Sequence, residues 1–136
     1  MPASSRREIW TVHLPLILYL ALLFTLSSIP TLPAPDYGIE LSDKVNHFLA
    51  YGLLGMLGYR SVKRLAGDRT TGARILAALL FCALYGVIDE LHQMLVPGRT
   101  AEVADWIADL LGGLTGIVVM GALGRWMKAR RERKDV

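Results

Sequence analysis

Residues 75–96 read ILAALLFCALYGVIDELHQMLV, an apolar stretch long enough to cross a bilayer as a helix. The hydrocarbon core is about 30 Å thick, and a helix rises about 1.5 Å per residue, so a span needs about 20 apolar residues. The stretch carries charged side chains only near its end, at Asp89 and Glu90. It therefore predicts a transmembrane helix.

Three further blocks have the same character. The block from Ile9 to Ile29 has no charge, the block from Leu41 to Tyr59 has charges only at its start, and the block from Val103 to Leu123 has them in its first two turns. Prolines and glycines separate the blocks. The sequence predicts an all-α polytopic membrane protein whose single domain, 1–136, packs four transmembrane helices in a compact bundle, at about 9–29, 41–59, 75–96 and 103–123, before a basic tail, 125–136.

Composition agrees with this class. Of the 136 residues, 53% are hydrophobic, and the mean hydropathy is +0.39, which an ordinary soluble domain of this size does not need. The net charge of +3 does not indicate nucleic acid, because the cations lie in short runs between apolar blocks. Cys82 is the only cysteine and lies inside an apolar block, so no intramolecular disulfide and no thiolate metal site are predicted.

The cations predict the orientation. Cytoplasmic loops retain Lys and Arg, whereas translocated loops lack them. Only Lys44 and Arg99 fall at one set of helix ends, so both termini are predicted to be cytoplasmic in the inner membrane, with the loop from Thr31 to Glu40 and the turn at Pro97–Arg99 outside. The cations at the other ends are Arg6, Arg7, Arg60, Lys63, Arg64, Arg69, Arg74, Arg125, Lys128, Arg130, Arg131, Arg133 and Lys134.

Polar side chains lie inside three of the predicted spans, all in the outer half of the bilayer. Residues three or four apart share a face of a helix, so these side chains form stripes that can meet inside the bundle. Ionised groups at such a depth cost several kcal/mol unless they pair, protonate or meet water. The stripes are Asp43, His47 and Tyr51; Tyr85, Asp89 and Gln93, with Glu90 and His92 beside them; and Asp105 and Asp109.

Carboxylates outnumber cations in this cluster, where the only cations are Lys44 and Arg99. A network that only pinned the helices together would more nearly neutralise itself, although such scaffolding is the structural alternative. The excess predicts protonated carboxyl groups, a bound cation, or a cationic or hydrogen-bonding ligand. The cluster is therefore a candidate site.

No metal and no other cofactor are predicted. The cluster contains no His-Glu-x-x-His or Glu-x-x-His spacing, only the pair Asp89-x-x-His92, which is not diagnostic. No serine or cysteine nucleophile stands out, so no catalytic residue is assigned. His13, alone in the first predicted span, is expected to be a packed or interfacial residue.

Small residues predict how the helices pack. Gly112-x-x-x-Gly116 in the fourth block allows another backbone to approach closely, as do the glycines of the second block. This pattern indicates tight helix packing. It also makes Gly112 and Gly116 the candidate contact of a homo-oligomer.

These motifs resemble those of the VanZ-like membrane proteins. The resemblance covers about Ser42 to Gly116 and departs from the family pattern at Asp109, where relatives usually have Asn. It rests on Asp43-Lys44-x-x-His47-Phe48-x-x-Tyr51, on Asp89-Glu90-x-x-Gln93 followed by Val96-Pro97-Gly98-Arg99, and then on Asp105, Gly112 and Gly116.

The resemblance implies an envelope role and a four-helix module, since the family takes its name from a protein associated with low-level teicoplanin resistance. It also implies a shared polar set of Asp43, Lys44, His47, Tyr51, Asp89, Glu90, Gln93, Arg99 and Asp105. With Asp109, these residues form the predicted ligand-binding cluster.

We expect the cluster to bind or modify a lipid headgroup or a lipid-linked cell-wall precursor in an outer-leaflet pocket. Lys44 and Arg99 could hold phosphate or carboxylate, and Asp89 or Glu90 could act as acid or base with His47 as the proton partner. A proton- or cation-coupled transporter is one alternative. A structural module whose charged cluster is scaffolding is the other.

Overall fold

The computed structural model describes residues 3–30, 40–67 and 69–134. These residues contain four long helices and no strand, which confirms the all-α fold. The loop predicted to join the first two spans lies, at 31–39, outside the described residues. Helix α1 is continuous through Ala3–Glu8, a π-helical turn at Ile9–His13, and Leu14–Ser27; the other helices are α2, Glu40–Leu65, α3, Thr71–Gln93, and α4, Val103–Glu132.

Three of these helices are long and apolar enough to cross a membrane: Arg6–Ser27 within α1, α3, and Val103–Glu132. Helix α2 has the length of a span, at 26 residues, but not the same composition, because charges lie at both of its ends. It packs against all three other helices, so its polar side chains have neighbours inside the bundle. The assignment of α2 as a fourth span stays a prediction.

The helix ends differ from the predicted limits. Helix α2 continues past Tyr59 to Leu65, and α4 continues past Leu123 to Glu132, because Lys and Arg are good helix formers and a helix need not stop where apolar composition does. The described part of the predicted basic tail therefore begins as the last turns of α4. Helix α3 ends before the predicted Val96, since a residue that precedes proline disfavours the helical conformation.

Glycines bring α2 and α4 into backbone contact. A Cβ atom added at Gly112 would overlap the carbonyl of Phe48, and one at Gly116 would overlap the carbonyl of Gly52. One added at Gly55 would in turn overlap the carbonyl of Gly113. The glycines of both helices thus provide the tight packing that their spacing predicted, here within one chain. Association of a second copy through Gly112 and Gly116 stays a prediction.

Helix α1 is attached in a different way, through tyrosine hydroxyl groups. Tyr19 of α1 donates a hydrogen bond to the carbonyl oxygen of Ala50 at 2.8 Å, and Tyr85 of α3 donates one to the carbonyl oxygen of Leu20 at 2.9 Å. Buried Leu16 and Leu23 add apolar contacts in the same core cluster. These hydrogen bonds and apolar contacts hold α1 against α2 and α3.

Pro15 explains the irregular start of α1. It has no N–H group to donate to the carbonyl of Thr11, four residues earlier, and the π-helical turn lies just before it. The Arg60 guanidinium donates to this carbonyl at 3.1 Å instead. His13 Nδ1 lies 2.8 Å from Ser61 Oγ, so His13 packs against α2 as expected.

Candidate functional site

The predicted polar residues gather at one end of the bundle. Here α1 ends, α2 begins, α3 ends and α4 begins. We call this the polar end. The alternating helix directions bring stripes that are far apart in sequence to the same level, as the helical spacing predicted.

A cavity of 190 Å³ lies at the polar end. Leu23, Leu26 and Ala50 give it an apolar wall. The remaining lining residues are polar or aromatic, so the cavity offers contacts both to a hydrocarbon group and to a charged or hydrogen-bonding group. Six predicted cluster residues line it, namely Asp43, His47, Tyr51, Asp89, Gln93 and Arg99, together with Ser27 and Asn46.

Asp89 is bound by its neighbours at both carboxylate oxygens. Ser27 Oγ donates to Asp89 Oδ1, and Gln93 Nε2 donates to Asp89 Oδ2 at 3.2 Å. Gln93 Nε2 also donates to Ser27 Oγ at 3.1 Å, and all three side chains are buried. This triangle joins α1 to α3 and leaves Asp89 with less capacity to accept further hydrogen bonds.

The other four predicted residues, Lys44, Glu90, Asp105 and Asp109, do not line this cavity. Three of them join α2 to α4: His47 Nδ1 lies 2.9 Å from Asp109 Oδ1, and Lys44 Nζ lies 3.4 Å from Asp105 Oδ1. Lys44 Nζ also forms a 3.1 Å ion pair with the more exposed Glu102. Lys44 is therefore already paired with carboxylates.

Glu90 lies at the edge of the cluster, beside the stripe of Asp89 and Gln93. Its Oε2 atom accepts a hydrogen bond from the backbone N–H of Glu102 at 2.9 Å, which ties the end of α3 to the start of α4. Glu90 also lines a second cavity, of 360 Å³, together with apolar side chains that include Val87, Leu91 and Trp106.

Several buried polar atoms have no hydrogen-bond partner among the described residues. They include the Tyr51 hydroxyl group, Arg99 Nε, Glu90 Oε1 and Asp109 Oδ2. Buried polar groups in proteins are nearly always hydrogen-bonded, so such a concentration at one end of the bundle indicates groups that meet a ligand, an ion or water.

Sequence reasoning missed residues that contribute to the polar end. Ser27 and Ser28 end α1, and Ser28 Oγ lies 2.9 Å from His92 Nε2. Serine in a helix commonly satisfies its hydroxyl group on its own backbone, as Ser28 also does at the carbonyl of Phe24, so neither serine gives a signal of function in sequence. Glu102 was missed because it precedes the fourth apolar block.

Helices long and apolar enough to cross a membrane, with charged groups gathered inside one end of the bundle, define a multi-pass membrane protein. The chain belongs to the VanZ/LLP1 family, whose model matches residues 13–124. This match includes every residue of the predicted cluster and confirms the resemblance found in the motifs. No curated protein and no solved structure gives a significant match to the chain.

Proposed function

We propose that the protein binds the phosphate-bearing headgroup of a membrane lipid or of a lipid-linked envelope precursor in the cavity at the polar end. The observation that carries this proposal is Arg99. Its side chain lines the cavity, and no carboxylate lies within 4 Å of its guanidinium group in the part of the chain that is described.

A guanidinium group in a partly enclosed cavity, with no carboxylate partner among the described residues, favours an anion. Its planar donors match the oxygens of phosphate in a bidentate arrangement. The buried Nε atom of Arg99, which has no acceptor among the described residues, supplies one such donor. Asp43 and Asp89 also line the cavity, but neither carboxylate lies within 4 Å of the guanidinium group, and Asp89 is held by Ser27 and Gln93.

The walls of the cavity support an amphiphilic ligand. Leu23, Leu26 and Ala50 line the cavity together with polar residues, as a headgroup joined to an acyl or prenyl chain requires. The volume of 190 Å³ is below the roughly 300–1,000 Å³ typical of pockets that enclose a whole small molecule. The headgroup therefore occupies the cavity while the hydrocarbon chain stays in the bilayer. The distribution of cations supports an outer-leaflet location for this cavity.

Lipid binding to the purified, detergent-solubilised protein tests the proposal. Native mass spectrometry would compare phosphatidylglycerol, a polyprenyl phosphate and inorganic phosphate at equal concentration. We expect Arg99→Gln to weaken binding of the phosphate-bearing lipids at least about 10-fold, because a hydrogen bond to a charged group contributes about 1.5–3 kcal/mol. The control is Arg125→Gln, which removes an exposed cation near the far end of α4 and should leave binding unchanged.

Comparison of the three ligands shows which kind of phosphate compound the cavity prefers. Preference for polyprenyl phosphate indicates an envelope precursor, preference for phosphatidylglycerol indicates a bulk lipid, and equal binding of inorganic phosphate indicates recognition of the phosphate alone. Wild-type affinity of Arg99→Gln for both lipids would overturn the proposal. Teicoplanin susceptibility of cells that carry the same variants tests the envelope role, which should be lost with Arg99→Gln only.

A further inference from the structure

We propose that His47, Glu90 and Asp109 bind a divalent transition-metal ion of the Mn²⁺ or Zn²⁺ class. The three residues come from α2, α3 and α4, so each of these helices contributes one side chain to the site. This inference does not rest on the proposed function, since Arg99 is not among the ligands.

The donor atoms are close enough to share one ion. One donor atom from each residue lies within 4.8 Å of those of the other two. Ligand atoms around an ion at about 2.0–2.2 Å are separated by about 3–4 Å, so shifts of about 1 Å close the set. His47 Nδ1 and Asp109 Oδ1 lie 2.9 Å apart and share a hydrogen bond, so an ion bound by both atoms would replace the shared proton, which leaves to solvent.

The burial of the two carboxylates supports an ion independently of the distances between the donor atoms. Asp109 is 1% exposed and Glu90 is 8% exposed, and each has one oxygen, Oδ2 and Oε1 respectively, that is buried without a hydrogen-bond partner among the described residues. Leaving a buried carboxylate oxygen without a partner is costly. An ion between the two side chains would satisfy both oxygens at once.

Charge balance supports a dication. Neutral His47 with ionised Glu90 and Asp109 has a net charge of −2, which a divalent ion cancels inside an apolar bundle. The nearby ammonium group of Lys44 pairs with Glu102 and Asp105, at 3.1 and 3.4 Å, and not with Glu90 or Asp109.

The donor set selects the class of ion. Imidazole nitrogen suits Zn²⁺ and other transition metals, whereas Ca²⁺ and Mg²⁺ take oxygen ligands, and carboxylate oxygen suits Mn²⁺ as well as Zn²⁺. Three protein ligands leave at least one coordination position open. A second set that shares His47, formed with Asp43 and Asp105, lies beside the first and extends toward the cavity.

Sequence spacing could not predict this site, because no two of its ligands lie on the same helix. Motifs such as His-Glu-x-x-His place two ligands on one helical face, and a search for them finds only single-helix sites. The two ligands from α2 and α4 lie on helices that glycine contacts hold together, and α3 supplies the third.

Metal titration of the untagged protein tests the site. The detergent-solubilised protein would be treated with a chelator, dialysed into phosphate-free buffer, and titrated with MnCl₂ and with ZnCl₂ in a calorimeter. We expect one ion per chain for the wild type, and at least about 10-fold weaker binding for Glu90→Gln and for Asp109→Asn. The matched control is Glu102→Gln, a neighbouring carboxylate outside the set, which should stay within about twofold of the wild type.

Electron paramagnetic resonance of the Mn²⁺-loaded protein gives a readout that does not depend on affinity. Coupling to a histidine nitrogen should be present in the wild type and absent in His47→Gln. Thermal melts of each variant identify those that fold, and if Asp109→Asn does not, Glu90→Gln carries the test. Binding of neither ion by the wild type, wild-type affinity in the folded variants, or no nitrogen coupling would each overturn the site.

Discussion

His47 and Asp109 join α2 to α4 through a 2.9 Å hydrogen bond between His47 Nδ1 and Asp109 Oδ1. Because both side chains have few other partners, we expect this bond to contribute to the stability of the contact between α2 and α4. We expect Asp109→Ala to lower the free energy of unfolding by about 1–3 kcal/mol, since it leaves the imidazole without its partner. Thermal and denaturant unfolding in detergent, with a chelator present, would measure this loss.

Asp109→Asn is the informative comparison for that bond. The asparagine oxygen can still accept from His47, and the variant removes a buried negative charge, so we expect a loss below about 1 kcal/mol. A loss in Asp109→Asn equal to that in Asp109→Ala would contradict a role for the hydrogen bond itself and would indicate that the charge of the carboxylate is required.

Ser27→Ala should destabilise the contact between α1 and α3. The buried hydroxyl group of Ser27 donates to Asp89 and accepts from Gln93, so its removal leaves two buried groups each short of a partner. We expect a loss of about 1–3 kcal/mol in the free energy of unfolding. Thr25→Ala is the control, because its exposed hydroxyl group bonds only to the carbonyl of Ala21 in its own helix, and it should change stability by less than about 0.5 kcal/mol. Equal effects in the two variants would argue against the triangle.

Gly116→Ala should push α2 and α4 apart. Its Cβ atom would overlap the carbonyl of Gly52, and a backbone atom cannot rotate away as a side chain can. We expect a cost of about 1–3 kcal/mol or more, seen as a lowered melting temperature. Gly72→Ala is the control, since no atom of the described residues lies within 4 Å of its added Cβ atom, and it should be neutral or slightly stabilising. An unchanged melting temperature in Gly116→Ala would rule out the backbone contact.

The predicted orientation can be tested with a matched pair of threonine substitutions. In a Cys82→Ala background, Thr100→Cys, at the polar end, and Thr71→Cys, at the start of α3, both introduce exposed thiols. A membrane-impermeant maleimide should label Thr100→Cys in intact cells and Thr71→Cys only after permeabilisation. The reverse result would place the polar end in the cytoplasm and remove the outer-leaflet assignment.

Much of the fold could be predicted from the sequence, because the length of an apolar block and the helical period can both be read within one helix. Apolar length gave the helices, and the 3.6-residue period placed Asp89 and Gln93 on one face, where they share Ser27 and contact each other. Helix ends were less predictable. An apolar block shows how much of a helix can lie in the hydrocarbon core, but the helix itself can continue beyond the block. Helix α4 accordingly runs on through its basic residues to Glu132.

Pairings between helices could not be predicted from the same signals. That Lys44 pairs with Glu102, and that His47 rather than a cation is the partner of Asp109, depends on the rotation of α2 against α4. The glycine contacts set this rotation, and a glycine pattern indicates close approach without indicating which faces meet. The cluster was therefore predictable as a set, whereas its internal connections were not.

The two ways in which the helices are joined have a consequence for motion. Helices α2 and α4 meet backbone to backbone at Gly112 and Gly116, so sliding or tilting one helix against the other requires the two helices to separate. Helix α1, which supplies the apolar wall residues Leu23 and Leu26, is held instead by side-chain hydrogen bonds, from the tyrosine hydroxyl groups along its length and from Ser27 in its last turn. Side chains can rotate, whereas two backbones in contact cannot, so the α1 wall of the cavity can move more easily than the contact between α2 and α4. We expect amide hydrogen exchange in the middle turns of α1 to be faster than that in the glycine segment of α4, and Ser27→Ala to speed exchange in the last turn of α1 as well.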